Sequence, residues 1–166
     1  PIYIVKENLK KHSAIFGKQI PVYKGKKISP RYIWNHFGNK PLVKLLRQDG
    51  SVIAEFLAYA ESFLGGVNFA VTKDRQENLI VTGASFSGGP HVRFISSYGH
   101  IRKAPAFFSH EPGFRGGVNV VAADIDGDGV DEIITGPGDG GSPQVKSFNK
   151  DGQIDGPIFF AFDQNL

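Results

Sequence analysis

The sequence predicts an all-β protein that is built from repeated units of four antiparallel strands. Glycine (21 of 166 residues) and proline (10) are abundant, and phenylalanine (14) is the main aromatic residue. Short segments rich in Val, Ile and Phe alternate with Asp/Gly clusters, which is the pattern of strands and tight turns. Segments of the sequence also recur about every 50 residues, a length that fits one four-stranded blade of a β-propeller.

The repeat rests on four pairs of matching segments. Their spacing varies only from 51 residues (65 to 116) to 53 residues (82 to 135), so insertions fall in loops, where they are tolerated. Four matches in the same order make chance similarity within a meander sheet or sandwich a poor explanation. The pairs are Gly65–Asn68 with Gly116–Asn119, Thr82–Gly83 with Thr135–Gly136, Pro90–Arg93 with Pro143–Lys146, and Phe107–Phe108 with Phe159–Phe160.

A partial copy lies upstream of these pairs. Pro41–Lys44 resembles the segments that begin at Pro90 and Pro143, and Asp49-Gly50 then aligns with Asp151-Gly152. We therefore expect four parts. They are a basic segment (residues 1–40), the end of a partial blade (41–62), a second repeat (63–113) and a third repeat (114–166).

The third repeat predicts four strands most clearly. An Asp-Gly turn joins the last two, because Asp-Gly favours the positive φ angles of a tight hairpin. The predicted strands are Val118–Ala123, Glu132–Thr135, Gln144–Phe148 and Pro157–Phe162.

Residues 1–40 leave two alternatives open. They hold nine basic residues against one acid, with a local cluster at Lys24–Lys27. This cluster predicts either attraction to a polyanion or a solvated turn. Short strands are predicted at Ile2–Val5, Ile20–Tyr23 and Arg31–Trp34. The last two either begin a degenerate blade completed by residues 42–46 and 52–57, or belong to a separate cap or linker.

The predicted hairpin between the first two strands of the third repeat carries the clearest chemistry. Residues 124–132 read DIDGDGVDE, with carboxylates at alternate positions and a glycine that permits a sharp bend. Oxygen ligands in this number suit Ca²⁺, which takes ~6–8 of them in flexible geometry. The predicted ligands are the side chains of Asp124, Asp126 and Asp128, the carbonyl of Val130 and the carboxylate of Glu132.

The other motifs are less informative about function. An EF-hand is not expected, because its twelfth position would be Thr135 and strands flank the loop. The corresponding loop of the second repeat, Lys73–Asn78, is shorter and contains basic residues, so no ion is expected there. The five histidines show no metal-ligand spacing and are interpreted as surface or loop residues. No paired acid, activated nucleophile or catalytic metal constellation is present, so we do not expect an enzyme.

The third repeat resembles FG-GAP repeats, also called VCBS repeats. The resemblance is carried by Phe114–Gly117, by the Asp-x-Asp-x-Asp-Gly loop and by the Gly-rich segment Gly136–Pro143. It implies a blade of the seven-bladed propeller of integrin α chains and many bacterial surface proteins, with a structural Ca²⁺ on the loop. The chain departs from the family at Glu132, where Asp is usual.

The resemblance implies a calcium-binding propeller module of an extracellular or cell-surface protein, with a structural or adhesive, ligand-binding role. A carbohydrate-binding, lectin-like propeller is the alternative, and a non-catalytic part of a secreted enzyme is a further one. The absence of cysteine excludes disulfides and thiolate metal sites. At most three blades fit in 166 residues, whereas closed propellers have ~4–8. We therefore expect other blades or a partner chain to cover the open faces, with a protein or glycan as ligand.

Overall fold

A computed structural model describes residues 31–34, 38, 40–46, 51–73, 78–96 and 106–163. These residues form β-strands and no helix, which confirms the all-β prediction. Consequently the described part of the chain has no helix long and apolar enough to cross a membrane. The strands are β1 (Arg31–Trp34), β2 (Leu42–Leu46), β3 (Val52–Leu57), β4 (Val67–Lys73), β5 (Asn78–Ala84), β6 (His91–Ser96), β7 (Phe107–Phe108), β8 (Val118–Ala123), β9 (Glu132–Pro137), β10 (Gln144–Phe148) and β11 (Ile154–Phe160).

The strands pair in three antiparallel sheets, and each sheet follows chain order. The first sheet is β1-β2-β3, the middle sheet is β4-β5-β6-β7 and the third sheet is β8-β9-β10-β11. This order arises because every strand is joined to its neighbour by a local connection, as antiparallel hairpins allow. None of the described sheets closes on itself.

The predicted strands of the third repeat agree with the observed ones except at their ends. β8 and β10 have the predicted bounds, and β9 extends to Pro137. β11 begins at Ile154, earlier than predicted, because Asn149 closes the preceding turn. Its Oδ1 accepts hydrogen bonds from the amides of Asp151 (2.9 Å) and Gln153 (3.0 Å), so strand pairing resumes at once.

The first sheet includes a strand from the basic segment. Arg31–Trp34 pairs with β2 over its full length, so the strand predicted at Arg31–Trp34 is confirmed. The predicted strands Ile2–Val5 and Ile20–Tyr23 and the cluster Lys24–Lys27 lie outside the described residues.

The middle sheet is buried on both of its faces. Leu79 and Val81 of β5 pack in a cluster with the third sheet, whereas Ile80 packs in a second cluster with β2 of the first sheet. Two-sided burial explains why three apolar residues, Leu79, Ile80 and Val81, follow one another in β5 instead of alternating with polar ones. Each fully buried aliphatic side chain of this kind contributes about 1.5–3 kcal/mol.

The middle sheet also contacts the backbone of the third sheet. The Nδ2 of Asn68 on β4 donates to the carbonyl of Val118 on β8 at 2.9 Å. A Cβ on Gly83 of β5 would lie 2.7 Å from that same carbonyl oxygen and 2.9 Å from Cγ1 of Val118. The close approach of β8 therefore requires glycine at position 83.

The same hydrogen bond recurs in all three sheets, where the chain leaves the last strand. In each case a backbone amide just after the last strand donates to the proline carbonyl just before the next-to-last strand. The bonds are Ala58 to Pro41 (2.8 Å), Ser109 to Pro90 (3.0 Å) and Ala161 to Pro143 (2.9 Å). The residue that follows each amide is thereby placed at an equivalent position.

Two equivalent glycines are expected to respond differently to alanine. Gly83→Ala should lower the free energy of unfolding by about 1–3 kcal/mol, because its Cβ would overlap the Val118 backbone. Gly136→Ala should change it by at most about 1 kcal/mol, toward greater stability, because no atom lies within 4 Å of the added Cβ. Urea denaturation of both variants measures the difference. Equal destabilisation of the two would show that strand propensity, and not the approach of β8, governs these positions.

Candidate metal centre

The candidate metal centre is the connection between β8 and β9. The ladder between these strands runs from Val118 opposite Pro137 to Ala123 opposite Glu132, and residues 124–131 lie beyond its end. Gly127 and Gly129 have φ angles of 86° and 88°, in the left-handed region that favours glycine. The alternation of aspartate and glycine therefore folds the chain into a compact turn.

Backbone amides of the turn hold the three carboxylates. Asp124 accepts hydrogen bonds from Gly127 (2.7 Å) and Gly129 (3.0 Å), one on each oxygen. Asp126 Oδ1 accepts from the amide of Asp128 at 3.0 Å, and Asp128 Oδ1 accepts from that of Val130 at 2.7 Å. Each aspartate thus caps the chain that follows it, as aspartates do in turns.

The turn brings Asp124, Asp126 and Asp128 together. One carboxylate oxygen from each lies within 4.8 Å of the others, and all three side chains are exposed. Three negative groups at this spacing repel one another unless a cation lies between them. The cluster could therefore hold a metal ion, and carboxylate oxygens select hard cations such as Ca²⁺ or Mg²⁺.

The two other predicted ligands have different surroundings. Glu132 is only 6% exposed, and its Oε2 accepts a hydrogen bond from the amide of Ile125 at 2.9 Å. Its carboxylate closes the base of the turn and is not one of the three clustered groups. The Glu132 carboxylate and the Val130 carbonyl therefore stay predicted ligands.

The corresponding hairpin of the middle sheet is described only at its base. Lys73 and Asn78 pair there, at the end of the β4–β5 ladder. Residues 74–77 lie outside the described part of the chain, so the expected absence of an ion stays a prediction.

Of the five histidines interpreted as surface or loop residues, His12, His36 and His100 lie outside the described residues. For the other two, the interpretation holds only in part. His91 lies within β6, and His110, although in a loop, has a buried Nε2 atom. Burial and the charge of Lys146 lower the pKa of His110 to about 4. His110 follows Ser109 as Tyr59 follows Ala58, one position after the recurring hydrogen bond, and the sequence repeat did not include this equivalence.

Comparison of the chain with models of protein families, with curated proteins and with solved structures finds no match.

Removing the Asp124 side chain is expected to destabilise the turn even without metal. Asp124→Ala loses two hydrogen bonds at 2.7 and 3.0 Å and should lower the free energy of unfolding by about 1–2 kcal/mol in chelator. Denaturation of the carboxylate-to-amide variant Asp124→Asn, as control, separates the loss of hydrogen bonds from the loss of charge. Asn keeps one acceptor oxygen, so its loss should be smaller. Equal stability of Asp124→Ala and the native chain in chelator would contradict this account.

Proposed function

We propose that this chain is a calcium-binding module of the FG-GAP/VCBS type, with sheets that act as blades of a β-propeller in an extracellular or cell-surface protein. Its role is structural or adhesive, with ligands bound by loops between the sheets. The observation that carries the proposal is the cluster of Asp124, Asp126 and Asp128 at the tip of the first hairpin of a four-stranded meander.

Calcium fits the cluster better than magnesium for two reasons. The three side chains are exposed on a turn whose geometry comes from its own amide hydrogen bonds, which leaves room for further ligands. Ca²⁺ accepts ~6–8 oxygens in flexible geometry, whereas Mg²⁺ requires near-octahedral coordination and keeps several waters. The ion would neutralise the repulsion among the carboxylates and would tie the turn to the end of the β8–β9 ladder.

The outer face of the third sheet supports the second part of the proposal. Cross-strand pairing places Val121, Ile134, Val145 and Phe159 on the face opposite to the core. Val121 is 56% exposed and Phe159 is 50% exposed. Large apolar side chains grouped on one sheet face indicate an interaction surface.

The repeat indicates what covers this face. Phe107, the counterpart of Phe159, lies on the equivalent face of the middle sheet, where its ring centre is 4.7 Å from that of Phe148 of the third sheet. Phe107 also occupies the space beside Gly152, where a Cβ would lie 2.8 Å from its ring. In the described part of the chain, no sheet packs against Phe159 as the third sheet packs against Phe107.

Gly136 also indicates that another sheet covers the outer face of the third sheet. Its counterpart Gly83 is required because the backbone of β8 lies against it, whereas no described atom lies within 4 Å of a Cβ at Gly136. We infer that a further sheet of the same repeat packs on the third sheet, with its first strand beside Gly136. This is how the propeller would continue.

The calcium proposal predicts a metal-dependent stability. Extracellular calcium modules bind at ~10⁻⁴–10⁻³ M. About 10 mM Ca²⁺ should therefore stabilise the native chain by about 1.4–2.7 kcal/mol relative to chelator, because the ion binds only the folded turn. Asp126→Asn should lose most of this gain, since the amide keeps the acceptor for the Asp128 N–H but lacks the charge. Differential scanning calorimetry in Ca²⁺, in Mg²⁺ and in chelator measures it.

The matched control for this experiment is Asp139→Asn. Asp139 is an exposed aspartate in the β9–β10 connection, at the opposite end of the third sheet from the cluster, so this variant changes net charge equally and should keep the full calcium effect. Identical melting curves for the native chain in calcium and in chelator would contradict the proposal of a calcium site.

If a further sheet packs on the third sheet, glycine should become necessary at position 136. A copy of residues 115–166 appended after Leu166 keeps the spacing of the repeat, because Leu166 then takes the position of Phe114. In the extended chain, Gly136→Ala should cost about 1–3 kcal/mol, because the new first strand would lie against it as β8 lies against Gly83. Urea denaturation of the extended chain, with a scrambled extension as control, tests this. If Gly136→Ala is equally harmless in both extended chains, no sheet packs there.

A further inference from the structure

Two buried polar atoms at the boundary between the middle and third sheets lack a protein partner. Among the described side chains, the Nε2 of His110 and the Oγ1 of Thr135 are inaccessible to solvent and make no hydrogen bond with the protein. Thr135 is 1% exposed. Because buried polar groups are almost always hydrogen-bonded, these two atoms call for a partner.

At the equivalent boundary, between the first and middle sheets, the polar groups are hydrogen-bonded to one another. The hydroxyl of Tyr59 donates to the carbonyl of His91 at 2.8 Å and lies 3.4 Å from Oγ1 of Thr82. Arg93, the cross-strand partner of Thr82, holds its guanidinium carbon 5.0 Å from the centre of the Tyr59 ring. Tyr59, Thr82 and Arg93 thus form a polar joint between the first and middle sheets.

The joint between the middle and third sheets has the same plan with a different first residue. Thr135 and Lys146 are cross-strand partners in the third sheet, as Thr82 and Arg93 are in the middle sheet. The amide of Ser109 bonds to Pro90 as that of Ala58 bonds to Pro41, so His110 enters its joint from the position of Tyr59. Burial and the charge of Lys146 lower the pKa of His110, which agrees with a position of the imidazole near this pair of strands.

The two residues differ in length. An imidazole ends well short of the point that a phenol hydroxyl reaches, so Nε2 of His110 stops before the polar groups that Tyr59 contacts in its own joint. The carbonyl of Gln144 is the counterpart of the His91 carbonyl in this joint. By the equivalence of the two joints, we expect these three polar groups around the position that a hydroxyl oxygen occupies in the first joint.

We propose that this joint is a binding site for one water molecule, which bridges His110 Nε2, Thr135 Oγ1 and the Gln144 carbonyl. A buried water typically makes about three hydrogen bonds to groups that would otherwise be unsatisfied. The water accepts from the Thr135 hydroxyl and donates its two hydrogens to the imidazole nitrogen and to the carbonyl. It takes the place of the hydroxyl that Tyr59 supplies in the first joint.

The charge state of His110 agrees with this arrangement. Burial and the neighbouring Lys146 lower its pKa to about 4, so the imidazole is neutral near pH 7. A neutral imidazole has one unprotonated nitrogen that accepts a hydrogen bond. The water can therefore donate to Nε2 in the tautomer that carries its proton on Nδ1, and the bridge requires this tautomer.

The test compares the native chain with His110→Tyr. A crystal structure of the native chain, at a resolution that shows ordered waters, should contain a peak within hydrogen-bonding distance of both His110 Nε2 and Thr135 Oγ1. In His110→Tyr the new hydroxyl should occupy that point. The melting temperature of the variant should rise by about 2–4 °C, because an immobilised water is released and the bonds are kept.

Water oxygen-17 relaxation dispersion supplies a second readout in solution. It counts long-lived internal waters, and His110→Tyr should have one fewer than the native chain. Thr135→Val should also lose this water, because it removes one of the three partners. A native crystal structure with no peak at this point, or with a direct bond between His110 Nε2 and Thr135 Oγ1, would overturn the proposal whether or not the variants fold.

Discussion

The burial of the middle sheet on both faces is the constraint on which the rest of the described structure depends. Ile80 packs toward the first sheet and Val81 toward the third, so a single strand contributes to both core clusters. Neither outer sheet could bury its apolar face alone, because a three- or four-stranded meander has a core on one side only when another layer covers it. Stability therefore comes from stacking, and strand pairing supplies the surfaces that stack.

The candidate metal centre depends on this core only indirectly. The β8–β9 ladder fixes where the turn begins and ends, and the buried Glu132 bonds the Ile125 amide at its base. Beyond that point the turn is held by local hydrogen bonds, which nearby backbone amides donate to the carboxylates of Asp124, Asp126 and Asp128. A site made from neighbouring residues needs no distant part of the fold to assemble, and this explains why a short sequence pattern is sufficient to find it.

The joints between sheets show how the same plan is varied from one repeat to the next. Tyr59 fills the first joint with an aromatic ring and a hydroxyl, whereas His110 leaves buried polar atoms in the second. Phe162 has the equivalent position after the third sheet and is largely exposed. The chemistry of each joint thus depends on one residue, while the hydrogen bond that positions this residue is common to all three.

The sequence by itself determined the local features of this protein. Strand positions, the order of hairpins and the meeting of three aspartates follow from turn residues and from the repeat, which act over a few neighbouring residues. The start of β11 was missed because it depends on side-chain capping by Asn149. Only the tertiary structure decided which faces are buried. The requirement at Gly83 and the freedom at Gly136 look identical in sequence, since both are glycines in Thr-Gly pairs. The difference arises because the backbone of β8 lies against only one of them, and a contact between distant strands leaves no mark on the local pattern.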